Sequence, residues 1–173
     1  MIRLRDILTE ISLGGVQPYV TQFTWTPEGR MWWEAKFTAD GHPIVFTFVG
    51  IGTDTPGGEY AFVMTSQDRS GEGFTVSHSR STARGGINYL RLLATAAEAI
   101  FDFIDTHAPG SIDVTGSDPS STKKDLQKTH IYRGLLSANA ARVATAGYTV
   151  LDRSGKLYLV RKSVADSTGI KDV

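Results

Sequence analysis

Between Asn88 and His107 apolar residues return at intervals of three and four, so that Leu90, Leu93, Ala94, Ala97, Ile100, Phe101 and Ile104 share one helical face. Leu92, Ala96, Ala99 and Phe103 add a second face. A helix apolar around most of its circumference must be enclosed on most sides, which predicts a central helix packed across a sheet. Pro109-Gly110 stops it, and Ile112 and Val114 alternate with Asp113 and Thr115, predicting a strand that returns to the sheet.

Upstream the period shortens to two. Strands are predicted at Tyr19 to Thr26, Met31 to Thr38, Ile44 to Val49 and Tyr60 to Thr65, with turns at Pro27-Glu28-Gly29 and Asp40-Gly41-His42-Pro43. This is an antiparallel meander. Gly50 to Gly58 and Gln67 to Gly73 read as loops, and Phe74, Val76 and His78 suggest a fifth strand. Leu4, Ile7, Leu8 and Ile11 give Ile2 to Ile11 an amphipathic helical face ended by Gly14-Gly15.

Downstream, Asp118-Pro119-Ser120-Ser121 signals a helix start. The long helix that follows carries Tyr132, Leu136, Ala140 and Val143 on one stripe, with Ile131 and Leu135 beside it, and ends at Gly147. Tyr148 to Leu151 and Lys156 to Val160, split by Asp152-Arg153-Ser154-Gly155, predict a closing hairpin. From Ser163 no periodicity remains. The expected fold class is α+β, an antiparallel-rich mixed sheet with two long helices, in one domain over 1–162 followed by a flexible tail over 163–173.

Composition narrows the function classes. Eighteen basic residues balance eighteen acidic ones in 173, which argues against a general nucleic-acid binder. With no cysteine there is no disulfide framework, thiol nucleophile or cysteine zinc site, and His42, His78, His107 and His130 lack metal-ligand spacing, so no metal is expected. No apolar run approaches the roughly 20 residues that cross a bilayer, and the N-terminus lacks a signal core. A soluble, cytoplasmic protein is expected.

Several clusters have both a chemical and a structural reading. Arg80-Ser81-Thr82-Ala83-Arg84-Gly85-Gly86 offers two arginines, two hydroxyls and two glycines just before a helix, which suits a phosphate or a tight strand-to-helix turn. Tyr132 is either a phenolic general acid or a core aromatic. Adjacent Trp32 and Trp33 must point to opposite faces of a strand, so one is core and the other is covered by a helix or exposed at an interface. Asp113 and Asp118 read as turn caps. Lys123, Lys124, Lys128, Arg133 and Arg142 read as a solvated helix face.

The second half resembles the acyl-CoA-binding core of the GCN5-related N-acetyltransferase (GNAT) superfamily. Phe74 to Ile104 matches the pyrophosphate-loop unit, while Ile112 to Val160 contains a tyrosine in Ile131-Tyr132-Arg133 and the Gly147-Tyr148 exit. Ala83 stands where that superfamily's first loop glycine belongs. The chain is also similar to uncharacterised tailed-phage proteins through Met1 to Glu10, Trp25 to Phe48, Asn88-Tyr89 and Ile112 to Tyr132. The first resemblance implies an acyl-CoA-dependent N-acyltransferase in which Arg80, Ser81, Thr82, Arg84, Gly85 and Gly86 hold the pyrophosphate and Tyr132 serves the leaving thiolate. Glu34 and Glu59 are the carboxylates available as its base. The second implies a phage protein in the host cytoplasm or the virion. The alternative function is a non-catalytic virion component, or a binder of a host factor, using the Trp-rich meander.

Overall fold

The computed structural model describes residues 16–53, 55–67, 73–75, 87–115, 132–153 and 155–167. The expected helix at Ile2 to Ile11, the Arg80 to Gly86 loop, Asp118, and Lys123, Lys124 and Lys128 lie outside the described residues.

Strands β1 (Thr26–Gly29), β2 (Trp32–Ala39), β3 (His42–Gly52), β4 (Glu59–Gln67) and β5 (Gly73–Thr75) precede helix α1 (Tyr89–His107) and strand β6 (Ser111–Asp113). Helical residues 132–138 (α2) and α3 (Ala140–Thr145) lead to β7 (Tyr148–Arg153), β8 (Lys156–Arg161) and a short α4 (Lys162–Ser167). Seven strands lie in the order β1-β2-β3-β4-β6-β8-β7, with β5 as an eighth paired to β4. All pairs are antiparallel except β4 with β6. The mixed, mostly antiparallel sheet follows the hydrophobic pattern, because each return strand presents alternate residues to one core face.

Register identifies that face. Phe46 pairs with Met64, Phe48 with Phe62, Tyr60 with Ile112 and Ile112 with Leu159, and all of these are buried. They meet the two apolar faces of α1, where Leu92, Ala96, Ala99, Ile100 and Phe103 are buried. The routes from β4 to β6 and from β6 to β7 step the same way along the sheet, so the preferred crossover hand puts both helical segments on one face. They do touch: Arg142 of α3 forms a two-pronged ion pair with Glu98 of α1 at 2.7 and 3.0 Å and lies 4.1 Å above the Phe101 ring. Arg133 pairs with Asp152. Both arginines are thus tied to other elements instead of forming a purely solvated face.

Several boundaries depart from the sequence pattern. Tyr19 to Trp25 makes no strand, with bends at Tyr19 and Thr21; it runs beside α1, with Tyr19 N–H donating to Thr95 Oγ1 at 2.9 Å and Trp25 Nε1 to Asp102 Oδ2 at 2.7 Å. Its alternating aromatics satisfy the core without a ladder. Pro27-Glu28-Gly29, expected as a turn, belongs to β1, and the chain turns at Arg30-Met31. Asp40-Gly41 alone makes the next turn, both residues having positive φ (48° and 82°), as a two-residue hairpin requires.

The second long helix breaks at Asn139. Its Nδ2 bonds back to Leu135 O at 2.8 Å, while its N–H is shared between the Leu135 and Leu136 carbonyls. The break turns the expected stripe, so Leu135, Leu136 and Val143 are buried and Ala140 is exposed. Asp152 and Arg153, expected in a turn, extend β7. The segment from Ser163 begins within α4, whose Val164 and Ala165 pack with Leu151 and Val160. Among the described residues no helix is long and apolar enough to cross a membrane.

The parallel pair is set by backbone contact. Gly58 O accepts from Gly110 N at 2.9 Å and Ser111 N at 3.2 Å. A Cβ on Gly57 (φ 88°) would stand 2.6 Å from Ala108 O, and one on Gly110 would stand 2.5 Å from Pro56 O. Gly57→Ala should therefore cost at least about 2 kcal/mol, combining left-handed strain with overpacking. Gly155→Ala, also at positive φ but with nothing within 4 Å of its Cβ, should cost only about 1 kcal/mol. Urea denaturation of both variants checks the ranking; equal losses would refute the close-approach account.

His107 lies between the rings of Trp33 (centroids 4.2 Å apart) and Phe103 (4.3 Å). Burial lowers its pKa below the ordinary 6.5. The unfolded chain then takes up this proton before the folded one, so stability is full above about pH 6.5 and falls as pH drops toward the folded value. The melting temperature should fall on acidification through this window, and His107→Phe should shrink that part of the fall.

Candidate functional site

Among the described residues, each end of β4 presents a place that can receive a ligand. At its C-terminal end the sheet parts. β6 pairs with β4 only over Glu59 to Ala61, and β5 pairs with it only over Thr65 to Gln67. Beyond Asp113 the chain follows β8 instead, with Val114 N donating to Leu157 O at 2.9 Å and Leu157 N to Thr115 Oγ1 at 2.8 Å. Among the described residues the Phe62 to Met64 edge therefore has no strand partner on that side. An unpaired edge offers N–H and C=O groups to an extended, amide-bearing ligand.

The N-terminus of α1 opens toward this end, and a side chain already occupies it. Asn88 caps the helix, its Oδ1 accepting from Arg91 N at 3.2 Å. Asn88 N–H is shared between Asp40 Oδ2 at 2.9 Å and Tyr19 Oη at 3.0 Å, and the Tyr19 hydroxyl also donates to Asp40. The Arg91 guanidinium lies 4.1 Å over the Tyr19 ring and donates from Nε to Gln17 O at 3.0 Å. The Tyr19 hydroxyl, then the Asn88 N–H, hold the Asp40 carboxyl below its usual range. Burial, helped by the bond to Asp40, pushes the Tyr19 phenol up to about 12. A carboxylate thus sits at the positive end of the α1 dipole, where an incoming phosphate would meet like charge.

At the N-terminal end of β4, on the sheet face away from α1, a cleft of about 280 Å³ is lined by Thr55, Glu59, Ser111, Leu151, Arg153, Tyr158, Val160 and Val164. Register explains the convergence. Glu59, Ser111 and Val160 form one cross-strand row; Asp113, Tyr158 and Leu151 form the next. Thr55 Oγ1 donates to Glu59 Oε1. Burial raises the pKa of the Tyr158 phenol, with the charges of Asp113 and Glu59 adding to the rise and Arg153 opposing it.

No family model, curated protein or solved structure matches the chain.

Of the residues singled out in the sequence, Tyr132 lies in the core, where burial pushes its phenol up to about 12 and its charge would also raise the pKa of neighbouring Tyr89. This placement fits the core reading. Glu34 pairs with Lys36 at 3.2 Å and accepts from Trp32 Nε1 at 3.2 Å on β2, far across the sheet from Glu59. Only Glu59 reaches the cleft. Trp33 packs inward on His107, whereas Trp32 is 45% exposed and pairs with Val49, two residues before the 56% exposed Ile51 at the end of β3. Asp113 Oδ1 accepts from Thr115 N at 2.8 Å, the turn role expected of it. Arg153 and Tyr158 carried no motif; only the alternation of β7 and β8, once registered against β6, brings them to Glu59.

Asp40→Asn removes the charge while keeping a residue that tolerates positive φ. Pyrophosphate should leave the wild-type melting temperature unchanged and raise that of the variant relative to its own pyrophosphate-free state. Equal behaviour in the two proteins would show that Asp40 does not guard this helix end.

Proposed function

We propose that the chain is a GNAT-like domain that works as a non-catalytic binding module and engages a protein partner through the exposed Trp32 and Ile51 end of its meander. The observation that carries the reading is the Asp40 carboxylate at the N-terminus of α1, where the acyltransferase reading requires a pyrophosphate. The burial of Tyr132 supports it as well, since a phenol enclosed in the core is poorly placed to protonate a thiolate. Exposed indole is enriched at interface centres, and an exposed isoleucine lies on the neighbouring strand, two residues beyond the Val49 that pairs with Trp32. In keeping with the tailed-phage likeness, the partner would be a host factor or another virion protein, met in the host cytoplasm or in the particle.

A second reading is favoured by the parting of β4 from β6. On this reading an acyl-CoA lies along the Phe62 to Met64 edge, its pyrophosphate held by Arg80, Ser81, Thr82, Arg84, Gly85 and Gly86; an amine attacks the thioester carbonyl and loses a proton, the C–S bond breaks, and CoA leaves as its thiol.

Calorimetric titration with acetyl-CoA, alongside thermal melts, separates the two. The binding-module reading expects no heat and no shift. A cofactor present at a hundred times its Kd would stabilise by about 2.7 kcal/mol, a rise of several degrees for a chain of this size. Such a rise, abolished by the double change Arg80→Ala and Arg84→Ala, would overturn the first reading in favour of the second.

A further inference from the structure

We infer that the free edge of β7 is a dimer interface whose occupant is the β7 of a second copy of this chain, paired antiparallel about a two-fold axis at Val150. The edge lies at the opposite end of the sheet from β1 and β2, and so from the exposed Trp32. The inference rests on neither reading of the acyl-CoA question.

The hydrogen-bond pattern shows which groups the edge offers. Lys162 N donates to Gly147 O at 2.9 Å, in the same register that pairs Tyr148 with Arg161. Antiparallel partners exchange both bonds at every second pair, so Thr149, Leu151 and Arg153 bond to β8 while Tyr148, Val150 and Asp152 turn N–H and C=O outward. The far side of β8 agrees, since Arg161 N donates to Gly110 O and Leu157 O accepts from Val114 N. Among the described residues no strand lies beyond β7 to meet the outward groups.

The two edges of the sheet are built differently. β1 is four residues long, contains Pro27, which has no N–H, and shifts register between Pro27 and Gly29. These features stop an edge from pairing further. β7 has none of them: it is six residues long, pairs in unbroken register and carries charge only at Asp152 and Arg153.

What lies beside the edge identifies the occupant. Phe103 of α1 stacks over Phe48 of β3 and meets Tyr60 of β4, so the side of α3 that faces away from α1 faces the β7 edge. Arg142 reaches toward α1 to pair with Glu98, and at about 100° per residue Ala140 and Ala144 fall on the opposite side of the helix, the edge side. Both are exposed. A lone extended peptide would leave these alanines in water, whereas a second copy brings its own α3 to the same face of the joined sheet. The charges nearby are satisfied within each copy, Arg142 by Glu98 and Arg133 by Asp152, so two identical surfaces meet without net repulsion. In register about Val150, Tyr148 falls opposite Asp152 of the second copy and Arg153 opposite Gly147, beside which the space for a Cβ is open. No like charges face each other across the join. A six-residue ladder is a small interface, so the dimer exchanges with monomer at micromolar concentrations.

Sedimentation of the full chain over a concentration series, read together with amide hydrogen exchange, tests this. The mass should rise from 18.8 kDa toward twice that value. The amides of Val150 and Asp152 should become slow to exchange only as it does, while those of Thr149 and Leu151 are slow throughout. Val150→Pro removes the donor at the axis without taking a bond from β8, and should weaken dimerisation at least about tenfold. Should that variant fail to fold, exchange in the wild-type chain decides alone. A chain that stays at 18.8 kDa, leaving the edge to an extended peptide of another protein, would overturn the proposal. So would a dimer whose Val150 and Asp152 amides still exchange freely, or a folded Val150→Pro variant that dimerises as well as the wild type.

Discussion

The contact on which the architecture depends is the stack of Phe103 on Phe48, with ring centroids 3.8 Å apart and planes within 4°. Phe48 is central to the meander and Phe103 to α1, so this pair fixes both the height and the rotation of the helix over the sheet. Trp25 and Tyr60 meet the Phe103 ring edge-on at 5.3 Å, and His107 stacks on it one turn later. The edge-to-face contacts of Trp25 and Tyr60 are a geometry that aromatic quadrupoles favour, each contributing about 0.5–1.5 kcal/mol beyond area burial. Elements distant in the chain are thereby brought to a single ring.

The position of α1 decides what each end of β4 can do. Its C-terminus delivers the chain to Pro109-Gly110, where the close glycine approach starts β6 parallel to β4. Its N-terminus rises beside the β2–β3 turn, which is how Asp40 reaches Asn88. The same placement leaves the Phe62 to Met64 edge without a strand partner on that side among the described residues, and puts a carboxylate at the helix end that such an opening would need for an anion. The cleft with Glu59 and Arg153 lies on the other face, shaped by the register of β4, β6, β8 and β7 and walled by α4.

These features connect local chemistry to function through position more than through identity. Glu34 and Glu59 are equivalent as side chains, yet one is neutralised by Lys36 on a remote strand while the other lines a cleft. Trp32 and Trp33 are likewise chemically identical. Their opposite fates, one exposed and the other stacked on His107, come from the two-residue alternation of β2 and from α1 covering only one face.

By itself the sequence determined the period of each major element. The three-and-four spacing of α1, its Asn88 start and Pro109-Gly110 stop, the meander and the return strand at Ile112 are local patterns, written in neighbouring residues and readable without the fold. What failed were features whose energy comes from distant partners. Tyr19 to Trp25 alternates like a strand, but its hydrogen bonds go to Thr95 and Asp102 of α1. The stripe through Ala140 is broken by the bonds Asn139 makes to the preceding turn, and Val164 and Ala165, just after Ser163, pack on Leu151 and Val160. The candidate sites were the least legible part. Glu59 was visible as a carboxylate, but its meeting with Arg153 and Tyr158, and that of Asp40 with the start of α1, depend on strand order and register, which only the tertiary structure decides because residues far apart in the chain share no local signal.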